Sequence, residues 1–288
     1  MAVASSEAAG AEGEPGAPRA RVELVAAGDG PPRSLPFDDA LARLATLGAA
    51  HAEVVLGGAH LGAFGLDLEP RRSLTELLRA AVARGLGRIR LGAIEPLEFP
   101  SDVLLEPGPA HALCEHFHLA VRSGSDRILA AMGAPHRVDD CRRAVLELDA
   151  LVPGACLGAD LIVGYPGETD EDHAATRAFV ESLPLSRIRV LPWAPERPPP
   201  AARVEELSAI AARKWRAFLA GLAGRELEVV VEQVDGGLAR GVARQAATVR
   251  WPSAGDRVGA VARVRVEASD GRELFGVHAA TFRSRLPP

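Results

Sequence analysis

Two stretches in the middle of the chain repeat one order of strand, glycine turn and helix start, and that order restricts the folds open to it. The first runs from Phe117 to Val121, turns at Arg122-Ser-Gly-Ser-Asp126 and opens a helix at Arg127. The second runs from Leu157 to Val163, turns at Gly164-Tyr-Pro-Gly-Glu168 and opens a polar helix at Thr169-Asp-Glu-Asp172. Repeated in succession, this is the order of a parallel sheet with crossover helices. In such sheets ligands gather where strands end and helices begin, because free backbone N–H groups and helix dipoles converge there. The two turns mark a candidate site, although ordinary turns with no ligand read the same way.

The flanking sequence extends the alternation. Strands are expected at 21–26, 51–56, 88–91 and 187–191. Pro36 opens an amphipathic helix through Leu47 with Gly48 as its stop, and Ser73 caps another to about Arg84. Further helices are expected between Ser101 and Cys114, over 138–151, over 170–182, where Thr169 and Asp172 have capping-box spacing, and over 204–222. Six strand–helix units predict an α/β unit over 21–222, an incomplete (β/α)6 barrel with all strand carboxyl ends on one side. From Arg225 the texture changes to five short alternating strands, split by turns such as Asp235-Gly-Gly237 and Asp270-Gly271. They predict a small all-β barrel of antiparallel strands, of the oligonucleotide-binding type, over 223–288. Residues 1–20, rich in Ala, Gly, Glu and Pro, read as a disordered tail, and they lack the basic start of a signal peptide.

Composition narrows the function. At 288 residues and 48% hydrophobic, the chain can bury a large core, yet no run reaches the eighteen or so apolar residues of a membrane span. The formal charge of −5 argues against a surface that attracts nucleic acid everywhere. From Arg225 onward, however, ten arginines face eight acidic residues, so an RNA contact would be local. Cys114, Cys141 and Cys156 are too few and scattered for a disulfide framework, which fits a reducing cytoplasm and buried structural thiols.

Six pieces in fixed order carry a resemblance: Arg33-Ser-Leu-Pro-Phe37, the run from Leu56 to Gly65, Ala93-Ile-Glu-Pro-Leu-Glu98, the two central segments, and Leu191-Pro-Trp-Ala-Pro195. Together they are similar to the radical S-adenosylmethionine (SAM) tRNA methylthiotransferases, over roughly Arg33 to Ala280. The resemblance implies that the closing barrel corresponds to the tRNA-holding TRAM module. It also implies SAM as a ligand, placed by position against Gly57, Gly58, Ser123, Asp160, Ile162 and Gly164. The residues by themselves leave plainer roles open: glycines that only permit tight turns, and an isoleucine that belongs to the core.

The same resemblance implies an iron–sulfur cluster held by a Cys-x3-Cys-x2-Cys loop after the first strand. The corresponding interval, Ala26 to Pro32, contains no cysteine, and clusters of this kind need soft thiolates. Residues 1–20 are also too few for the family's amino-terminal cluster domain. Ala120 and Arg122 stand where the family has Pro and Gln, and 194–200 lacks its Arg-Pro-Gly-Thr-Pro order. Glu95, His118, Asp160 and Glu168 are the polar groups near strand ends, with His118 read as a satisfied core histidine and Glu168 as support for the following helix start. The expectation is a relative that has lost radical SAM catalysis and binds RNA or a protein partner. The alternative is participation in tRNA methylthiolation with the cluster domain supplied by another polypeptide.

Overall fold

The computed structural model describes residues 17–27, 30–194 and 200–279. Six parallel strands form one continuous array: β1 (Arg19–Ala26), β3 (Glu53–Gly58), the bent pair β4 (Ile89–Leu91) and β5 (Ala93–Ile94), β6 (His116–Arg122), β7 (Cys156–Val163) and β8 (Arg187–Pro192). A two-residue strand, β2 (Arg33–Ser34), doubles back antiparallel on β1. β4 pairs with β3 and β5 with β6, so the bend at Gly92 divides the array into two hydrogen-bonded halves. The expected units are present. The first strand starts at Arg19, inside the stretch read as tail, because Ala20, Val22 and Leu24 are buried at alternate positions; the rest of that reading, 1–16, lies outside the described residues.

The helices are α1 (Phe37–Ala50), α2 (Leu74–Ala83), α3 (Pro107–Ala112), α4 (Asp126–Ala131), α5 (Val138–Leu151), α6 (Asp170–Ser182) and α7 (Ala201–Gly221). Gly48 does not stop α1 but lies within it. Leu86 packs so close that a Cβ there would stand 2.4 Å from Leu86 Cδ1. Between Ser101 and Ala112 the expected helix is a 3-10 turn followed by the six-residue α3, since Pro107 restricts the residue before it and interrupts the run.

Parity along the strands divides the array into two faces. Val22, Leu24, Val54, Leu56, Ile89 and Leu91 meet α1 and α2 in one apolar layer, and Phe117, Leu119, Leu157, Ala159 and Leu161 form a second layer under α5 and α6. The opposite face, which would line the lumen of a closed barrel, is polar. It carries Arg19, Arg21, Glu53, Arg90, His116, His118, Asp160, Arg187 and Arg189.

After α7, five strands close a barrel in the order β10–β11–β13–β12–β9, with β9 at Glu226–Asp235, β10 at Leu238–Ala243, β11 at Thr248–Pro252, β12 at Val261–Ser269 and β13 at Leu274–His278. The strands are not all antiparallel as expected: β11 and β13 pair parallel, which closes the sheet on itself and leaves no free edge. The barrel core, around Trp251, Val229 and Val264, takes in Leu219 and Leu222 from the end of α7.

The barrel docks at the amino-terminal ends of the parallel strands. There Glu53, fully buried, accepts from Arg88 Nε at 2.8 Å and Arg90 Nε at 2.7 Å. The remaining guanidinium donors reach the barrel carbonyls of Val242 at 3.2 Å, Ala243 at 3.0 Å and Arg244 at 3.0 Å. Arg244 answers by donating to Leu113 O at 2.6 Å. Burial alone would raise the Glu53 carboxyl, but Arg90, Arg88 and Arg19 outweigh it and hold the group far below the usual carboxylate range.

Candidate functional site

At the opposite ends of the strands lies a cavity of about 540 Å³, to which all six parallel strands contribute. Its wall includes Ala27 after β1, Gly58 at the end of β3 with Ala59 and His60 beyond it, Ala93 from β5 and Glu95 just after it, Ala120 and Arg122 from β6, Asp160 and Ile162 from β7, and Trp193 after β8. The turn from Met132 to Pro135 closes one side. The volume lies in the range of small-molecule sites.

Of the six residues proposed from sequence, Gly58, Asp160 and Ile162 reach this wall. Gly58, at φ 143°, packs against β1 so tightly that a Cβ would stand 2.8 Å from both Val25 N and Val25 O. Gly57 lies inside β3 beside Arg21 and Glu23, and it is not on the wall. Ser123 is buried and serves the fold: its Oγ is 3.2 Å from Thr176 Oγ1 and accepts from Ser125 N at 3.1 Å. Gly164 donates its N–H to Glu168 Oε2 at 2.7 Å. Glu168 therefore closes its own turn and pairs with Arg203 at 3.1 Å, and this replaces the expected role at the next helix start.

The two central segments are clasped to one another. Ser125 Oγ donates to Asp172 Oδ1 at 2.6 Å, Gly124 N donates to Thr176 Oγ1 at 3.0 Å, and Asp172 also completes the capping box with Thr169. Gly124 is required by the closeness of this contact, since a Cβ would lie 2.6 Å from Thr176 Cα.

Two charge clusters face the cavity, and both are internally paired. Asp160 takes His118 Nε2 at 2.9 Å and Arg189 through Nε at 2.5 Å and Nη2 at 2.7 Å. Burial favours its neutral form, but these hydrogen bonds prevail and hold it at about 2. Glu95 takes Arg122 Nη1 at 2.9 Å and has His136 Nδ1 at 3.3 Å. Burial opposes its charge too, and His136 and Arg122 together lower it. Arg122 reaches Glu95 from the left-handed region, φ 66°, which is unusual for a side chain with a Cβ. Both carboxylates are thus fixed as anions and are weak proton acceptors, and among the described lining residues there is no serine, threonine, lysine or cysteine nucleophile. The arrangement can bind and orient a ligand.

A cluster does not fit these residues. Cys114, Cys141 and Cys156 are buried, and none lines the cavity. Burial raises the Cys114 thiol to about 11 and the Cys141 thiol to about 12, and Cys114 already donates to Glu53 Oε2 at 3.3 Å. Such thiols resist the ionisation that iron ligation needs. Among the described residues no three His, Cys, Asp or Glu side chains come together as a metal site. The wall does offer apolar and aromatic surface: small residues, Ile162 and the Trp193 ring, whose centre lies 4.6 Å from that of Tyr165 in an edge-on contact. Arg122, His136 and Trp193 were not singled out in the sequence; Arg122 was visible only as a replacement for a family Gln.

No protein-family model matches the chain. The curated relatives it matches include the threonylcarbamoyladenosine tRNA methylthiotransferase MtaB of Thermotoga maritima, 35% identical over 54% of this chain and 36% of the relative. The tRNA-2-methylthio-N(6)-dimethylallyladenosine synthase of Paracoccus denitrificans is 34% identical over 71% of this chain and 49% of its own, and that of Cereibacter sphaeroides 34% over 78% and 54%. The chain spans about half the length of these two synthases and 36% of the MtaB relative. Among solved structures, methylornithine synthase aligns with 68% of this chain and 62% of its own at 12% identity and a TM-score of 0.46.

Proposed function

We propose, from the premise that this chain belongs to the tRNA methylthiotransferase family, that it is a non-catalytic relative which binds RNA or a protein partner in the cytoplasm. One observation carries the reading. The loop that should hold the cluster, Ala26 to Pro32, has no thiol, and the cysteines elsewhere are buried and do not line the cavity. Asp160 and Glu95 are locked in ion pairs, which supports a holding role for the cavity. S-Adenosylmethionine, a sulfonium nucleoside, is the ligand the family implies, with Gly58, Asp160 and Ile162 beside it. The closed barrel, as a TRAM-like module over 223–288, would contact tRNA.

Anaerobic reconstitution with iron and sulfide tests the loss of the reaction. The expected product is colourless protein without stoichiometric iron, and a brown protein that bleaches under dithionite would sink the reading. Calorimetric titration with SAM beside a tRNA binding assay at two salt concentrations tests the binding role. The open cavity favours a second reading, in which the chain takes part in tRNA methylthiolation with a cluster domain supplied by a separate polypeptide. Restoration of methylthio transfer by adding such a domain would establish it.

A further inference from the structure

A second cavity, of about 350 Å³, opens at the seam where β8 and α7 of the array meet the small barrel. Its lining includes Arg187, Arg189, Trp215, Thr248 and Arg272 and no aspartate or glutamate; Arg189 is already paired with Asp160, so the positive charge of the cleft rests on Arg187 and Arg272. In a chain of net charge −5 this is a local reversal of sign. Arg187 is held in place: its Nη1 donates to Ala246 O at 2.7 Å and its guanidinium lies 5.5 Å from the centre of the Trp215 ring. The Ala246 carbonyl occupies one of five guanidinium N–H groups. Trp215 is stacked in turn on Phe218 at 5.6 Å. Arg272 comes over the seam on the β12–β13 turn, which is seated on α7 so closely that a Cβ on Gly271 would lie 2.7 Å from Arg216 Cγ. On the lumen face, buried His116 has no hydrogen-bond partner on either ring nitrogen. Its basicity is depressed first by burial and then by Arg90, His118 and Arg187, with Glu53 opposing.

We propose that this seam binds a phosphoryl group, with Arg187 and Arg272 as its donors. A cleft with no carboxylate in its lining and one guanidinium already held in place matches the charge of a phosphate and the planar donor fork that binds it. The group is carried either by a single-stranded RNA backbone or by a free phosphate or mononucleotide. The RNA source deepens the RNA-binding reading above and places the contact at the joint between the two units.

Fluorescence anisotropy of the full chain with a labelled single-stranded RNA tests this, with inorganic phosphate and AMP as competitors. Arg272→Ala, at an exposed turn, is expected to weaken RNA binding about tenfold and to reduce the salt slope by about one. Arg187→Ala with Arg272→Ala should weaken it further, while Arg143→Ala, on the outer side of α5, should change nothing. Direct calorimetric binding of phosphate or AMP that is lost in the double variant, with no anisotropy change on adding the chain to RNA, would support the seam and remove RNA from the proposed function. RNA binding unchanged in the Arg272 and double variants would overturn the seam and leave that function standing. Binding of neither RNA nor phosphate by the wild-type chain would overturn the seam and the RNA-binding part of the proposed function.

Discussion

Single side chains here act mostly as buried ion pairs, and their partners fix what each can do. Glu53 has a folded pKa far below its unfolded one. Its contribution to stability is therefore present above the ordinary carboxylate range and lost as pH falls through the depressed value. Glu53→Gln would leave Arg88 and Arg90 buried without a counter-charge. It should cost about 3–5 kcal/mol in urea unfolding near neutral pH and flatten the acid limb of the stability profile. Gly124→Ala should cost about 1–3 kcal/mol, because the Cβ meets the Thr176 backbone and α6 must move. The sequence showed that glycines mattered at these turns. Spacing could not distinguish a glycine that clears a ligand from one that clears a helix, nor show that the Ser123 hydroxyl would meet Thr176.

Elements were legible where local rules acted alone. The expected bounds of α5 and α6 match the observed ones, since capping residues and apolar spacing set both. Thr169→Ala removes one half of the α6 capping box and should lower stability by about 1 kcal/mol in urea, with the circular dichroism of the barrel strands unchanged. The segment from Ser101 to Ala112 was less legible because prolines divide it, and the parallel pairing of β11 with β13 was hidden altogether. Pairing direction at a barrel closure depends on how the chain returns around the core, and turn residues do not encode it. The polar lumen face could be seen as Arg-x-Arg at 19–21, 88–90 and 187–189, but its meaning required the register that places Arg90 near Glu53 and Arg189 beside Asp160.

At the scale of the whole molecule, the docking of the barrel onto the strand array determines how the chain unfolds. Arg88 and Arg90 neutralise Glu53 and at the same time satisfy backbone carbonyls of β10 and the turn after it, so neither unit can melt without exposing polar groups of the other. Leu219 and Leu222 add an apolar tie, since they belong to the end of α7 yet complete the barrel core. The expectation is one cooperative transition for residues of both units, followed together by tryptophan fluorescence, to which Trp193, Trp215 and Trp251 all contribute, and by far-ultraviolet circular dichroism. Arg90→Met keeps much of the side-chain volume but removes both the charge and the donors to Ala243 and Arg244. It should separate the transition into two, with the barrel persisting after the array has lost its helices. A single transition in that variant would mean that the apolar contact alone couples the units; two transitions in the wild-type chain would mean that the buried arginines do not.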